Sequence, residues 1–160
     1  MDEKLINLLI VDDEETFLWA IAKRLETRGF NVVAVTRGEA AIAEAQKQPF
    51  DIALVDLRIP GMNGEETLRI LKQEHPWLEV VILTGHGSVE SAVECTKDGA
   101  HSYLQKPCEF DRLLAVLTEA YKKKVMNKLK TREERMNELI DYSQFSTPLA
   151  ILRKIRQLDE

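Results

Sequence analysis

Five short, largely apolar stretches punctuate the chain, and each is followed by a segment of helical periodicity. Leu5 to Val11 runs into Asp12 and Asp13, and Asp51 to Val55 runs into Asp56. Glu79 to Leu83 runs into Thr84, and His101 to Gln105 runs into Lys106 and Pro107. Only Phe30 to Val35 ends without a reactive group. Apolar runs this short, separated by amphipathic helices, mark a parallel sheet covered on both faces and predict an α/β fold. Such sheets bind ligands outside the carboxyl ends of their strands. Three carboxylates, a hydroxyl and an ammonium are therefore expected to share one crevice.

The helical segments carry their own punctuation. Leu18, Ile21, Ala22 and Leu25 recur at helical spacing, and Gly29 is placed to end that helix. Trp19, on the flank of this stripe, is expected to cover a core edge. A second helix is predicted from about Glu39 to Lys47, stopped by Pro49. After the loop Ile59-Pro60-Gly61-Met62, the run Asn63-Gly64-Glu65-Glu66 reads as a capping box. Ser88 reads as the cap of a helix ending near Asp98-Gly99.

From Glu109 onward the pattern changes. Phe110, Leu113, Leu114, Leu117, Tyr121, Val125, Leu129, Met136, Leu139 and Ile140 keep a three-and-four spacing over about thirty residues, long for a globular helix. That suits a protruding helix or a short coiled coil, with a break from Ser143 to Thr147. Thr147 as N-cap and Pro148 at the first helical position then open a last helix, with Leu149, Leu152, Ile155 and Leu158 along one side. The expected division is a domain over 1–122 and a helical extension over 123–160, with the fifth helix reaching about 141 and a short helix over about 148–158.

Composition narrows the classes. At 160 residues and 44% apolar content the chain can bury a core. No stretch approaches the ~20 apolar residues that span a bilayer. The acidic start MDEKLINLL lacks the features of a signal peptide, which predicts a cytoplasmic protein. Cys95 and Cys108 have neither metal spacing nor a disulfide framework and are expected to be packing thiols. Charge is split: residues 1–120 carry 12 Lys and Arg against 21 Asp and Glu, whereas residues 121–160 carry 10 against 6. The basic end suits either nucleic-acid contact or a solvated helix face, and Lys122-Lys123-Lys124 is read as the latter.

The crevice has a definite chemistry. Three acids brought together repel and raise one another's pKa unless a cation compensates. A hard divalent ion with oxygen ligands resolves this, and Mg²⁺ is the usual choice beside phosphate. Lys106 adds a charge suited to a phosphoryl oxygen, and Thr84 adds a neutral donor. A carboxylate held between metal and lysine can attack an activated phosphoryl group and yield an aspartyl phosphate.

Four motifs now carry a resemblance: Leu9-Ile10-Val11-Asp12-Asp13; Val55 to Gly64; Leu83-Thr84-Gly85-His86; and Gly99 to Pro107. In this order, over roughly residues 4–122, the chain resembles the receiver domain of two-component response regulators. The resemblance implies a flavodoxin-like, doubly wound five-stranded sheet of order 2-1-3-4-5. It implies that Asp56 is the phosphoacceptor, that Asp13, Asp56 and the backbone carbonyl of Arg58 ligate Mg²⁺, and that Asp12 acts partly through water. Thr84 and Lys106 would grip the phosphoryl group, and Tyr103 would turn inward as Thr84 moves. Lys106-Pro107 is a candidate cis peptide. The donor would be a histidine kinase or histidine phosphotransfer protein, docking on Phe17, Ala20 and Arg24 of the first helix.

Plainer roles stand beside these. Asp12 and Asp13 could cap a helix, Tyr103 and Phe17 could be packing, and His86 could be a solvated loop residue as readily as one that tunes hydrolysis. His75 and His101 suggest only surface or packing. Two other functions fit less well. A DNA-binding regulator using the basic tail lacks a second helix after a short Gly-containing turn, which argues against nucleic acid as a partner. An aspartyl-nucleophile phosphatase would need a second acid two residues after Asp56, where Arg58 stands. The expected protein is thus a phosphorylation-switched interaction module, not a conventional enzyme, with a downstream protein partner and a possible homodimer through the extended helix.

Overall fold

Strand and helix alternate five times in the computed structural model, which describes residues 4–143 and 147–159. The order is β1 (Ile6–Val11), α1 (Glu15–Glu26), β2 (Phe30–Val35), α2 (Gly38–Lys47), β3 (Ile52–Val55), α3 (Gly64–Glu74), β4 (Glu79–Thr84), α4 (Val89–Lys97), β5 (Ser102–Gln105), α5 (Phe110–Ser143) and α6 (Pro148–Asp159). All strand pairs are parallel and the sheet order is β2-β1-β3-β4-β5. This is the flavodoxin-like topology expected from the sequence, and element boundaries differ from that reading by one or two residues, α5 running on to Ser143 where the break was expected to begin.

The two-residue period of a strand sorts its side chains onto opposite faces. Leu8 and Ile10 of β1, Ile52 and Leu54 of β3, and Val81 and Leu83 of β4 face α1 and α5, where Leu18, Ile21, Leu25, Leu113 and Leu117 meet them. The alternate residues Leu9, Val11, Ala53, Val55, Val80 and Ile82 pack with Ala41, Leu68, Leu71 and Cys95 of α2, α3 and α4. Because both faces are covered, the strands need apolar residues at every position. That is why they appear in the sequence as continuous runs.

Local signals place the ends. Asn63 caps α3 by accepting from the Glu66 backbone N–H at 2.9 Å, and Ser88 caps α4 by accepting from Ser91 N–H at 3.0 Å. Such caps are each worth about 1 kcal/mol. Thr147 does the same for α6, accepting from Ala150 N–H at 3.3 Å. Gly29 adopts φ 92 beyond the end of α1, a conformation that favours glycine.

Two expectations fail. Trp19 does not cover a core edge but is 55% exposed, because the stripe of Leu18, Ile21, Ala22 and Leu25 already fills that side of α1. Lys124 is not part of a solvated face: it is buried and pairs with Asp51. The expected break after α5 falls partly on residues 144–146, and these and the side chain of Leu158 lie outside the described residues.

The chain divides into two units, Met1–Lys124 and Val125–Glu160, with α5 contributing to both. The first contains the sheet and both core clusters. In the second, Met126, Leu129 and Met136 of α5 and Leu149 and Leu152 of α6 are exposed.

Candidate functional site

The carboxyl ends of the strands bring the reactive groups together. Val11 is in register with Val55, and Val55 with Ile82, so the residues that follow β1 and β3 leave the sheet side by side. The Asp56 N–H donates to Val11 O at 2.9 Å, and the Lys106 N–H donates to Thr84 O at 2.9 Å. The backbone ladder thus delivers Asp12, Asp56, Thr84 and Lys106 to one edge.

Carboxylate oxygens of Asp12, Asp13 and Asp56 lie within 4.8 Å of one another. Asp12 and Asp56 are almost fully buried, at 2% and 3% exposure, while Asp13 faces solvent. Lys106 Nζ donates to Asp12 Oδ2 at 2.6 Å and to Asp56 Oδ2 at 3.3 Å. Glu14 Oε1 stands 3.9 Å from the same nitrogen. The second oxygens also have donors: Glu14 N–H reaches Asp12 Oδ1 at 2.9 Å, and Arg58 N–H reaches Asp56 Oδ1 at 3.3 Å. Asp12 and Asp13 do not cap α1, whose N-cap position is Glu14.

Electrostatics follow from burial and pairing. Burial pushes the Asp12 carboxyl above its usual range, against the pull of Lys106. For Lys106, burial works to lower the value, but the Asp12 and Asp56 carboxylates outweigh it and hold the ammonium above the ordinary lysine range. Lost hydration decides the direction at Asp12, whereas at Lys106 the carboxylates together outweigh it. An all-oxygen set of three carboxylates, two of them buried and sharing one ammonium, fits a hard divalent cation such as Mg²⁺.

Loops shape the rim. Gly64 folds back over β3, and a Cβ there would lie 2.1 Å from the Asp56 carbonyl oxygen, so only glycine allows the approach. Thr84 is fully buried, and its Oγ1 accepts from His86 N–H at 3.2 Å. The Lys106-Pro107 peptide is cis. Tyr103 is half-buried against the α2, α3 and α4 cluster, and its hydroxyl accepts from Ser88 N–H at 3.3 Å.

Thus Asp12, Asp13, Asp56 and Lys106 converge, with Thr84 at the next strand end. Of the residues expected to dock a donor, Ala20 and Arg24 are exposed and Phe17 is half-buried. Arg24 lies over the Phe110 ring at 3.9 Å. His86 is exposed, His75 lies beside Glu74, and His101 pairs with Ser102. Sequence reasoning missed Glu14 as a neighbour of Lys106. Only the adjacency of Glu14 to the Asp12-Asp13 pair signalled it.

The profile of the response regulator receiver domain matches residues 8–118. The chain belongs to the response regulator receiver family. The receiver is 39% identical over 115 residues to the transcriptional regulatory protein ZraR of Escherichia coli K12, a match covering 72% of this chain and 26% of that one. It is 33% identical over 159 residues to the alginate biosynthesis transcriptional regulatory protein AlgB of Pseudomonas aeruginosa, covering 98% and 35%. A CheY-like receiver domain protein from Methanospirillum hungatei superposes with TM-score 0.75 at 28% identity, covering 77% of this chain and 98% of that one. The chain therefore spans about a quarter to a third of the length of these curated relatives. As a receiver it is a signalling module of two-component regulation, and no helix among the described residues is long and apolar enough to cross a membrane.

Proposed function

We propose that Asp56 accepts a phosphoryl group from the phosphohistidine of a histidine kinase or histidine phosphotransfer protein in the cytoplasm, and that the aspartyl phosphate switches protein–protein interactions. The observation that carries this reading is the cluster of three carboxylates within 4.8 Å, two of which share the Lys106 ammonium. An Asp56 oxygen forms the new O–P bond as the donor's P–N bond breaks, and the imidazole nitrogen keeps the electron pair. Asp12, Asp13, Asp56 and the Arg58 carbonyl would hold Mg²⁺, which when bound supplies positive charge to offset the phosphoryl oxygens.

The chain's own groups do the remainder. Lys106 turns from Asp12 and Asp56 to a phosphoryl oxygen, and the Thr84 hydroxyl donates to another. Tyr103 follows Thr84 and repacks the face formed by α4, β5 and α5, a two-state equilibrium biased by the phosphate. Residues 1–122 act as the receiver and 123–160 as the output extension, through a protein partner or a second copy of this chain. Phe17, Ala20 and Arg24 form the docking face for the donor. Beyond self-catalysed phosphotransfer and slow self-hydrolysis, no enzymatic turnover is expected.

Incubation with Mg²⁺ and acetyl phosphate, followed by intact mass measurement, tests the reading. Wild type gains one phosphoryl group and Asp56→Ala gains none. An equal gain in both would overturn it.

A second reading has specific support: relatives named as transcriptional regulators align with this chain, one of them over 98% of this chain and 35% of its own length. Residues 123–160 would then transmit the switch to DNA binding. Salt-sensitive binding of mixed-sequence duplex DNA by the full chain, lost on deleting 123–160, favours that reading.

A further inference from the structure

Lys106 has a fourth neighbour besides its three carboxylates. Its ammonium lies 4.2 Å from the centroid of the Phe17 ring. Phe17 sits on the first turn of α1, half-buried, and packs against the cluster of Leu8, Ile10, Leu18 and Leu113. The core therefore holds the ring in place, and the ring in turn meets the lysine. Both residues line a groove of about 500 Å³ that also includes Glu14, His86, Pro107 and Cys108.

Lysine needs such a support. Its four-carbon stem is flexible, and its ammonium can point at any acceptor within reach. One competing acceptor is Glu14, whose side chain is 61% exposed and stands 3.9 Å from the ammonium on the solvent side. A ring face attracts a cation through its quadrupole but offers no lone pair. It can therefore retain the ammonium in the crevice without competing for the hydrogen bonds that Asp12, Asp56 or a phosphoryl oxygen must receive.

We propose that Phe17 is a positioning residue: its ring holds the Lys106 ammonium at Asp56 and thereby sets the rate of phosphoryl transfer within this chain, whatever the donor. The proposal rests on Asp56 being the phosphoacceptor. It differs from donor docking, which affects only transfer from a protein, and from plain packing, which any apolar side chain of similar volume satisfies.

The test compares wild type, Phe17→Leu, Phe17→Tyr and Asp56→Ala as full chains, using acetyl phosphate with Mg²⁺ and following intact mass over time. Phe17→Leu is expected to be phosphorylated about 3- to 30-fold more slowly, while Phe17→Tyr, which keeps the ring face, stays near wild type. In proton NMR, the Lys106 ε-methylene signals should be displaced upfield by the ring current in wild type and Phe17→Tyr, and lose that displacement in Phe17→Leu. A wild-type rate of phosphorylation by acetyl phosphate in Phe17→Leu overturns the proposal. If Phe17→Leu fails to fold, undisplaced Lys106 signals in wild type, or a Phe17→Tyr rate that falls well below wild type, overturn it. Phosphorylation of Asp56→Ala as fast as wild type defeats the phosphoacceptor reading instead, and leaves the ring-current result to report on the contact alone.

Discussion

Lys124 on α5 and Asp51, just before β3, form a largely buried ion pair, with side chains 10% and 13% exposed, at the amino edge of the sheet, the edge opposite the acidic crevice. Asp51 is fully engaged, since its other oxygen accepts the Asn7 backbone N–H at 2.8 Å. Lys124 is the last residue of the first unit, so the pair anchors α5 to the sheet where the extension begins. Removing one member strands the other charge away from water. Lys124→Met is expected to lose about 3 kcal/mol, and the double variant Asp51→Asn/Lys124→Met to regain much of it. A urea double-mutant cycle checks this, with phosphorylation by acetyl phosphate unchanged because the crevice is untouched.

Mg²⁺ should stabilise the folded chain. Three carboxylates are gathered in the native crevice and dispersed in the unfolded chain, so the ion binds the native state preferentially. At a concentration about 100 times its dissociation constant the gain is about 2.7 kcal/mol. Thermal unfolding with and without Mg²⁺ reads it as a rise in Tm. Asp13→Asn, which removes the exposed member of the set, should reduce that rise sharply without altering the core. An undiminished rise would remove Asp13 from the ligand set.

Gly87 controls the Tyr103 position. A Cβ on Gly87 would stand 2.5 Å from the Tyr103 hydroxyl and 3.1 Å from its Cε1, so Gly87→Ala must displace the ring. The expected result is loss of the Ser88 N–H bond to Tyr103, with altered Tyr103 ring signals in NMR and changed output but little change in phosphorylation rate. Unaltered ring signals would show that the loop carrying Gly87 gives way instead, and would overturn this prediction.

The two thiols should separate by reactivity. Cys95 is fully buried, and burial, aided by the Glu65 charge, pushes its thiol up to about 11. Iodoacetamide at pH 8 should modify the half-buried Cys108 and leave Cys95 intact until urea unfolds the chain. The linkage has a definite sign. The folded value exceeds the ordinary thiol value of 9.0, so the unfolded chain releases this proton first as pH rises. The Cys95 contribution to stability is complete below about pH 9 and declines towards pH 11. Cys95→Ser, whose hydroxyl does not titrate there, should flatten that part of the stability–pH curve.

Much of this protein was legible without coordinates. The strands were visible as continuous apolar runs because both faces of the sheet are covered, and the caps at Asn63, Ser88 and Thr147 were visible because capping is local chemistry. Asp12, Asp13, Asp56, Thr84 and Lys106 could be placed in one crevice because parallel strands put their carboxyl ends on one edge. What escaped depends on contacts between residues far apart in sequence. Lys122-Lys123-Lys124 reads as three equivalent solvated charges, yet only the fold brings Asp51 against the third and buries it. Phe17 reads as a core or docking residue, and only the approach of the β5 end to α1 places the Lys106 ammonium over its ring. Periodicity and strand-end chemistry are local properties carried by the chain itself. The partner of each charge is decided by packing, because the free energy of a lysine depends on which oxygens and rings surround it once water is excluded.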